Sequence, residues 1–502
     1  MKIIQLFILL LFQSICWSQK INNPNIIIIY TDDLGIGDLS CYGGTKIKTP
    51  AIDQLAAKGI KFTNAHSTSA TCTPSRYALM TGKYPWKKKG TGVLPGDAAL
   101  IIDTNQITLP KMLKNAGYKT GIVGKWHLGL GSQVEKDWNK RISPGPNEVG
   151  FEYSFIFPAT ADRVPTVFVE NGTVVGLDSN DPIAVNYKNK IGNEPTGKEN
   201  PELLKMKNSP EHGHDNTIVN GIGRIGFMSG GKTARWTDEE MPLTFLNQAK
   251  FFIEQHKDKP FFLYYALTEP HVPRMPSTVF KGKSGLGYRG DAILQIDWTV
   301  SQIQHHLKSL GIDKNTMIIF SSDNGPVLDD GYMDDAVTKL NGHTPSGIFR
   351  GGKYSVFEAG TRVPTILSWP EKIKGGTVSN ALVCQMDLLS SLSNLVDSKI
   401  KSETELDSEI QLNAWIGNDL IGRSNLIVQG MQPNGIIVGK WKYISPNNGI
   451  SISKLTNVEL GNDLVPQLYD LISDPGEKNN LAKQLPEKTK ELADLLDKKT
   501  KN

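Results

Sequence analysis

The stretch Ser69-Ala70-Thr71-Cys72-Thr73-Pro74-Ser75-Arg76 places a thiol next to a proline, a hydroxyl and a guanidinium, ahead of a segment able to turn helical. A thiol at a helix N-terminus beside a cation is favoured as thiolate. Without further context the same stretch reads as a partly buried thiol at a loop–helix junction. Other polar groups sit behind apolar runs. Asp32 and Asp33 follow Asn25-Ile-Ile-Ile-Ile-Tyr30, and Asp323 and Asn324 follow Thr316-Met-Ile-Ile-Phe320. Adjacent carboxylates behind a buried run are costly unless cations compensate them. They read as a hard-metal site or, with Gly35 and Gly37 close by, as a solvated turn. Lys125 and His127, two apart in an extended segment, point the same way and can reach one anion. His271 stands between Pro270 and Pro273, which fix its backbone. Lys353 follows a glycine pair, where it can close over an anion.

The elements that must position these groups can be read from the pattern. The runs near residues 25–30, 120–124, 260–267 and 316–322 are short, unbroken and rich in β-branched or aromatic residues, as central strands of a parallel sheet are. Helical segments alternate with them: 49–59, closed by Gly59; 109–117, closed by Gly117; 244–256; and 291–310, where Ile293, Ile296, Val300, Ile303 and Leu307 repeat at three and four. Such alternation predicts a doubly wound α/β sheet. Ligands of open α/β sheets bind beyond the carboxyl ends of the strands, where the polar groups fall. An oxygen-rich donor set suits calcium (Ca2+) or magnesium (Mg2+) better than zinc.

Residues from about 130 to 240 are rich in Gly, Pro and Asn and weakly periodic, and read as an insertion that shapes a pocket. Arg163, His212 and His214 there are candidate substrate contacts, as are His343 in a later loop and His66 before Cys72; each reads equally as a loop residue. Past about residue 385 short strands predominate, and a charged helix begins near Glu487.

The 502 residues suit one large α/β domain and a smaller one, and the net charge of +4 gives no reason to expect nucleic acid. Residues 1–18 read as a signal peptide, which points to a periplasmic or secreted protein, with a lipid anchor at Cys16 as the lesser alternative. No other run is long and apolar enough to cross a membrane. Cys41 and Cys384 could pair in an oxidising compartment or remain free thiols.

Cys72-x-Pro74-Ser75-Arg76 followed by Leu79-x-Thr81-Gly82 resembles the modification motif of the type I sulfatases, members of the alkaline-phosphatase-like superfamily. Gly124-Lys125-Trp126-His127-Leu128-Gly129, Pro270-His271-Val272-Pro273, Asp323-Asn324-Gly325-Pro326 and the Lys353 loop resemble further motifs of that family. The resemblance spans nearly the whole chain after residue 18. It implies a large mixed, mostly parallel sheet flanked by helices over residues 19–384, and a smaller α+β subdomain over 385–502. It further implies that a maturation enzyme oxidises Cys72 to formylglycine, and that Asp32, Asp33, Asp323, Asn324 and the modified Cys72 hold one calcium ion. Arg76 and the metal would favour the ionised, hydrated aldehyde, which attacks the sulfur of a sulfate ester. Lys125 and Lys353 would neutralise the sulfuryl oxygens, His271 would protonate the departing alcohol, and His127 would take the last proton to expel sulfate. The signal peptide and the long insertion point to a sulfated polysaccharide or its oligosaccharides. Ulvan or carrageenan comes first, with glycosaminoglycans as the rival. A phosphatase or phosphodiesterase of the same superfold, and an unmodified glycan-binding pseudoenzyme, are the other readings.

Overall fold

The computed structural model describes residues 23–400, 405–432 and 434–501. The leader read at residues 1–18 lies outside them. Ten strands form one sheet, in the spatial order Thr377–Ser379, Ile60–Phe62, Thr365–Ser368, Thr316–Ser322, Asn25–Thr31, Phe261–Ala266, Lys119–Lys125, Tyr153–Phe157, Val169–Glu170, Thr173–Val174. The five from Thr316–Ser322 to Tyr153–Phe157 are parallel. Antiparallel pairings appear on either side of them, so the sheet is mixed.

Every residue of Asn25–Thr31 and Thr316–Ser322 is buried, which is why both read as continuous apolar runs. Alternate side chains serve opposite faces. Ile27, Ile29, Leu263 and Phe320 pack on one face with Phe245 and Ile253 of helix Met241–His256 and with Ile293 and Ile296 of helix Gly287–Ser309. Ile26, Ile28, Phe262 and Ile319 pack on the other with Leu79 of helix Cys72–Thr81, Met112 of helix Leu109–Asn115 and Leu389 of helix Leu388–Leu395. Both faces are therefore covered, as the alternation of strand and helix requires.

A second sheet of four antiparallel strands, Leu426–Val428, Gly435–Val438, Trp441–Ile444 and Gln467–Asp470, lies toward the C-terminus. Leu492 and Leu496 of the closing helix Pro486–Thr500 pack into its core beside Val356 and Phe357 of the Lys353 loop. A buried ion cluster ties the same parts together. Lys442 of the small sheet lies 2.9 Å from Glu358 and 3.0 Å from Glu477, all fully buried. Among the described residues no helix is long and apolar enough to cross a membrane. Cys41 and Cys384 are both free thiols.

The region from 130 to 240 holds short strands and turns, but it also delivers Tyr153–Phe157 to the main sheet as its fifth parallel strand. Arg224, also there, is fully buried against Asp238 at 2.6 Å and serves the packing of the insertion.

Candidate active site

The parallel register places Thr31 beside Ser322, so the residues that follow, Asp32–Asp33 and Asp323–Asn324, leave the sheet side by side. Lys125 is the last residue of the next strand but one, and His271 follows the strand between. Cys72 is the first residue of helix Cys72–Thr81, whose loop is held by bonds from the Ala70 amide to the Gln429 carbonyl and from the Tyr354 amide to the Ala70 carbonyl. The structure thus gathers Asp32, Asp33, Cys72, Arg76, Lys125, His127, His271, Asp323, Asn324 and Lys353 into one buried cluster, each at most 5% exposed.

Ligand atoms of Asp32, Cys72 and Asp323 lie within 4.8 Å of one another, as do those of Asp32, Asp33 and His271. Asp32 Oδ1 and Asn324 Oδ1 are buried without a hydrogen-bond partner. Burial, then the neighbouring Asp323 charge, pushes the Asp32 carboxyl up to about 6, and burial raises Asp33 too. Carboxylates crowded out of water with free oxygens fit a hard, oxygen-preferring cation.

Cations already brace this acid cluster. Arg76 Nη2 is 2.8 Å from Asp323 Oδ2, Arg76 Nε donates to the same oxygen at 3.0 Å, and Nη1 donates to the Tyr264 hydroxyl. Lys125 Nζ donates to Asp32 Oδ2, and Lys353 Nζ donates to Asp33 Oδ2 at 2.9 Å and Asp330 Oδ2 at 2.7 Å. Burial alone would lower Lys353, but the two carboxylates hold it well above the usual lysine value. The thiolate expected at Cys72 is not what this setting favours. Burial pushes the thiol up, and although Lys125 and Lys353 favour the thiolate, they do not offset burial together with the Asp32 and Asp323 charges.

The two histidines present opposite nitrogens. His127 Nε2 lies 2.9 Å from the Leu94 carbonyl, which can only accept, so Nε2 carries the proton and the unpartnered Nδ1 is free as a base. His271 Nδ1 donates to the Val272 carbonyl at 2.7 Å, leaving Nε2 to face Asp33 at 3.8 Å and Asp330 at 3.9 Å. Burial, then Lys125 for His127 and Lys353 for His271, holds both rings well below the usual histidine value. Asp33, His127 and Tyr354 have φ of 63°, 53° and 73°, a left-handed region that costs a side chain energy and that clusters at functional sites.

Around this centre, Arg163 Nη1 donates to Asp162 at 3.0 Å, and His214 Nε2 lies 3.0 Å from the same carboxylate. Burial alone would raise Asp162, but Arg163 and His214 hold it well below the usual carboxylate range. His212 sits farther out, against the Leu455 carbonyl at 3.2 Å. His343 does not join the cluster. It pairs with Asp38 at 2.8 Å, which also takes a two-point contact from Arg289, and it lines a separate cavity with Lys46 and Arg362. His66 is fully buried in a two-residue strand, held by Asn64 and Thr361, and is a packing residue. Asp330, Tyr354, Asp162 and Arg289, which donates to the Asp33 carbonyl at 3.3 Å, belong to the site but are not singled out by the sequence. The adjacent carboxylates Asp329 and Asp330, five residues after Asn324, were the available signal.

A family model described as Sulfatase matches residues 24–398. The chain belongs to the sulfatase family. An N-acetylgalactosamine-6-O-sulfatase of Bacteroides thetaiotaomicron is 55% identical over 480 residues, covering 95% of this chain and 93% of that protein. A solved structure from a study of glycosaminoglycan metabolism by Bacteroides thetaiotaomicron is 55% identical, covers 96% of this chain and 100% of that one, and superposes with a TM-score of 0.94. The PsFucS1 sulfatase from Pseudoalteromonas sp., 22% identical with a TM-score of 0.70 over 95% of this chain and 90% of that one, shares the fold. The sulfatase is a sulfuric ester hydrolase with an alkaline-phosphatase-like fold.

Proposed function

We propose that this sulfatase removes the 6-O-sulfate from N-acetylgalactosamine residues of a sulfated glycan. The observation that carries the substrate is the 55% identity, end to end, with an N-acetylgalactosamine-6-O-sulfatase. The preference for ulvan or carrageenan over glycosaminoglycans is reversed by that likeness. Nothing in the fold speaks for the marine polymers, since relatives at 22% identity share architecture alone.

The chemistry follows from the cluster. Asp32, Asp33, Asp323, Asn324 and Cys72 are the residues that would hold one calcium ion. Bound there, calcium supplies positive charge to the reacting oxygens, and formylglycine formed from Cys72 supplies the oxygen nucleophile. Arg76 orients Asp323 through two contacts and is itself fixed by Tyr264. Lys125 and Lys353 bring two ammonium groups to the sulfate ester, where charge grows on the sulfuryl oxygens. His271 Nε2, which lies 3.8 Å from Asp33 and 3.9 Å from Asp330, would pass a proton to the departing alcohol, a proton that the negative charge of a bound sulfate favours. His127 Nδ1 is free to accept a proton as sulfate leaves. Asp162, Arg163 and His214 form a buried donor–acceptor set suited to sugar hydroxyls.

Sulfate release from 6-O-sulfo- and 4-O-sulfo-N-acetylgalactosamine, with a matched phosphate ester alongside, tests the reading. Release from the 6-O-sulfate alone is expected. Turnover of the phosphate ester with none of either sulfate ester would overturn it.

A further inference from the structure

Position 73 is left open by the Cys-x-Pro-Ser-Arg pattern. In this chain it holds a threonine, fully buried in the first turn of helix Cys72–Thr81. A helical hydroxyl ordinarily bonds the carbonyl one turn back, as Thr81 does with Tyr77 at 2.8 Å. Thr73 reaches out of its helix instead. Its hydroxyl donates to the His127 carbonyl at 3.1 Å and accepts from the Leu94 amide at 3.3 Å. The Leu94 carbonyl in turn accepts from His127 Nε2 at 2.9 Å. These contacts close a circuit in which one hydroxyl holds both the main chain of His127 and the residue that faces its ring.

Leu94 belongs to a surface loop, with Gly92, Val93 and Pro95 exposed around it. Past Leu94, the Gly96 amide donates to the Tyr187 hydroxyl at 2.8 Å, so the loop is pinned on either side of the carbonyl that receives the ring proton. That carbonyl decides which nitrogen of His127 is free. While it accepts from Nε2, Nδ1 carries no proton and is buried without a hydrogen-bond partner among the described residues. A carbonyl that swings away lets the ring turn over or move its proton to Nδ1, and either change removes the base. The φ of 53° at His127 adds a main-chain conformation that must be held against its cost. The circuit needs a side chain that donates and accepts at once, which at this size means threonine or serine.

We infer that Thr73 is a positioning residue for His127, its hydroxyl fixing the nitrogen with which His127 takes a proton as sulfate leaves. The inference rests on the role given to His127 in the proposed function and adds the group that keeps it in place. On that reading the alcohol departs first and sulfate second, so a slack His127 slows the second step alone. The ratio kcat/KM reports the steps up to loss of the alcohol. Slowing only the later step therefore lowers kcat and KM together and leaves kcat/KM unchanged.

Thr73→Val keeps the shape and removes the hydroxyl, whereas Thr73→Ser keeps the hydroxyl. Both are assayed on 4-nitrophenyl sulfate, whose leaving group needs no proton, so that sulfate release limits turnover. Rates are divided by the aldehyde content of peptide 62–76, measured by mass, so that incomplete maturation is not read as lost catalysis. Thr73→Val is expected to lower kcat and KM by about tenfold each, the size of one or two lost neutral hydrogen bonds. It is also expected to release a burst of about one 4-nitrophenol per matured site. Thr73→Ser is expected to restore the wild-type constants. Wild-type constants in Thr73→Val, a fall in its kcat/KM matching the fall in kcat, or a serine variant no better than the valine one would overturn the inference. His127→Ala tests the underlying reading separately: a fall in kcat/KM as large as its fall in kcat would refute the role of His127 in sulfate release. Nuclear magnetic resonance of isotopically labelled histidine would then decide the circuit. A ring proton held on His127 Nε2 in the wild type and lost to exchange in Thr73→Val would support it, and one held equally in both would overturn it.

Discussion

Lys353 is the place where the charge logic of the site can be broken with one substitution. Its ammonium lies 2.9 Å from Asp33 and 2.7 Å from Asp330, and the side chain is 2% exposed. Lys353→Met keeps the length and apolar stem and removes the charge. Two buried carboxylates then lose their partner, which costs about 3–5 kcal/mol of stability in calcium-free buffer. Calcium supplies a replacement cation to the same acid cluster, so that loss shrinks as calcium is added. Turnover behaves differently, because calcium cannot take the place of a donor on the sulfuryl oxygens. Loss of one such donor is expected to lower kcat by about 10²–10³-fold. The assay pairs urea unfolding with and without calcium against sulfate release at saturating calcium. A variant that recovers both stability and wild-type kcat would refute the catalytic placement of Lys353. A stability loss indifferent to calcium would refute its membership of the metal-holding cluster.

Three further outcomes are expected. His271→Ala lowers kcat on a sugar sulfate by about 10²–10⁴-fold and does so far less on 4-nitrophenyl sulfate, whose leaving group needs no proton; equal losses on both would remove His271 from the acid role. Burial holds His66 down to about 3 in the folded chain, against about 6.5 when unfolded, so the unfolded chain binds the extra proton between these values. Stability is then complete above about pH 6.5 and falls with pH by up to about 1.4 kcal/mol per unit toward pH 3; His66→Asn flattens that slope in urea unfolding, and an unchanged slope contradicts it. Lys442→Met takes the cation from buried Glu477 and leaves Glu358 with Arg362 at 2.8 Å, and a stability loss of about 3–5 kcal/mol is expected from urea unfolding, whereas wild-type stability would show that the cluster does not join the small sheet to the Lys353 loop.

Much of the site was legible because chemistry and periodicity coincide along this chain. Asn25–Thr31, Lys119–Lys125, Phe261–Ala266 and Thr316–Ser322 are apolar runs that end in polar residues, so the strand register alone assembles Asp32, Lys125, His271 and Asp323. Tyr153–Phe157 escaped because a five-residue strand inside a Gly- and Pro-rich stretch carries too little pattern to stand out. Asp330 and Tyr354 escaped for another reason: their meaning lies in contacts with Lys353 that local spacing does not encode. The thiolate expected at Cys72 failed on energetics. Helix position and an arginine four residues on were visible, but complete burial beside Asp32 and Asp323 was not. The pairing of Lys442 with Glu358 and Glu477 is likewise a tertiary fact, with partners 84 residues apart in the nearer contact with Glu358's carboxylate.

The central claim is that Cys72 is the precursor of the nucleophile. The direct measurement is the mass of the tryptic peptide 62–76 from a preparation that releases sulfate. An aldehyde in place of the Cys72 thiol is the predicted result. An intact thiol in every copy of that peptide, from protein that still releases sulfate, would contradict the account.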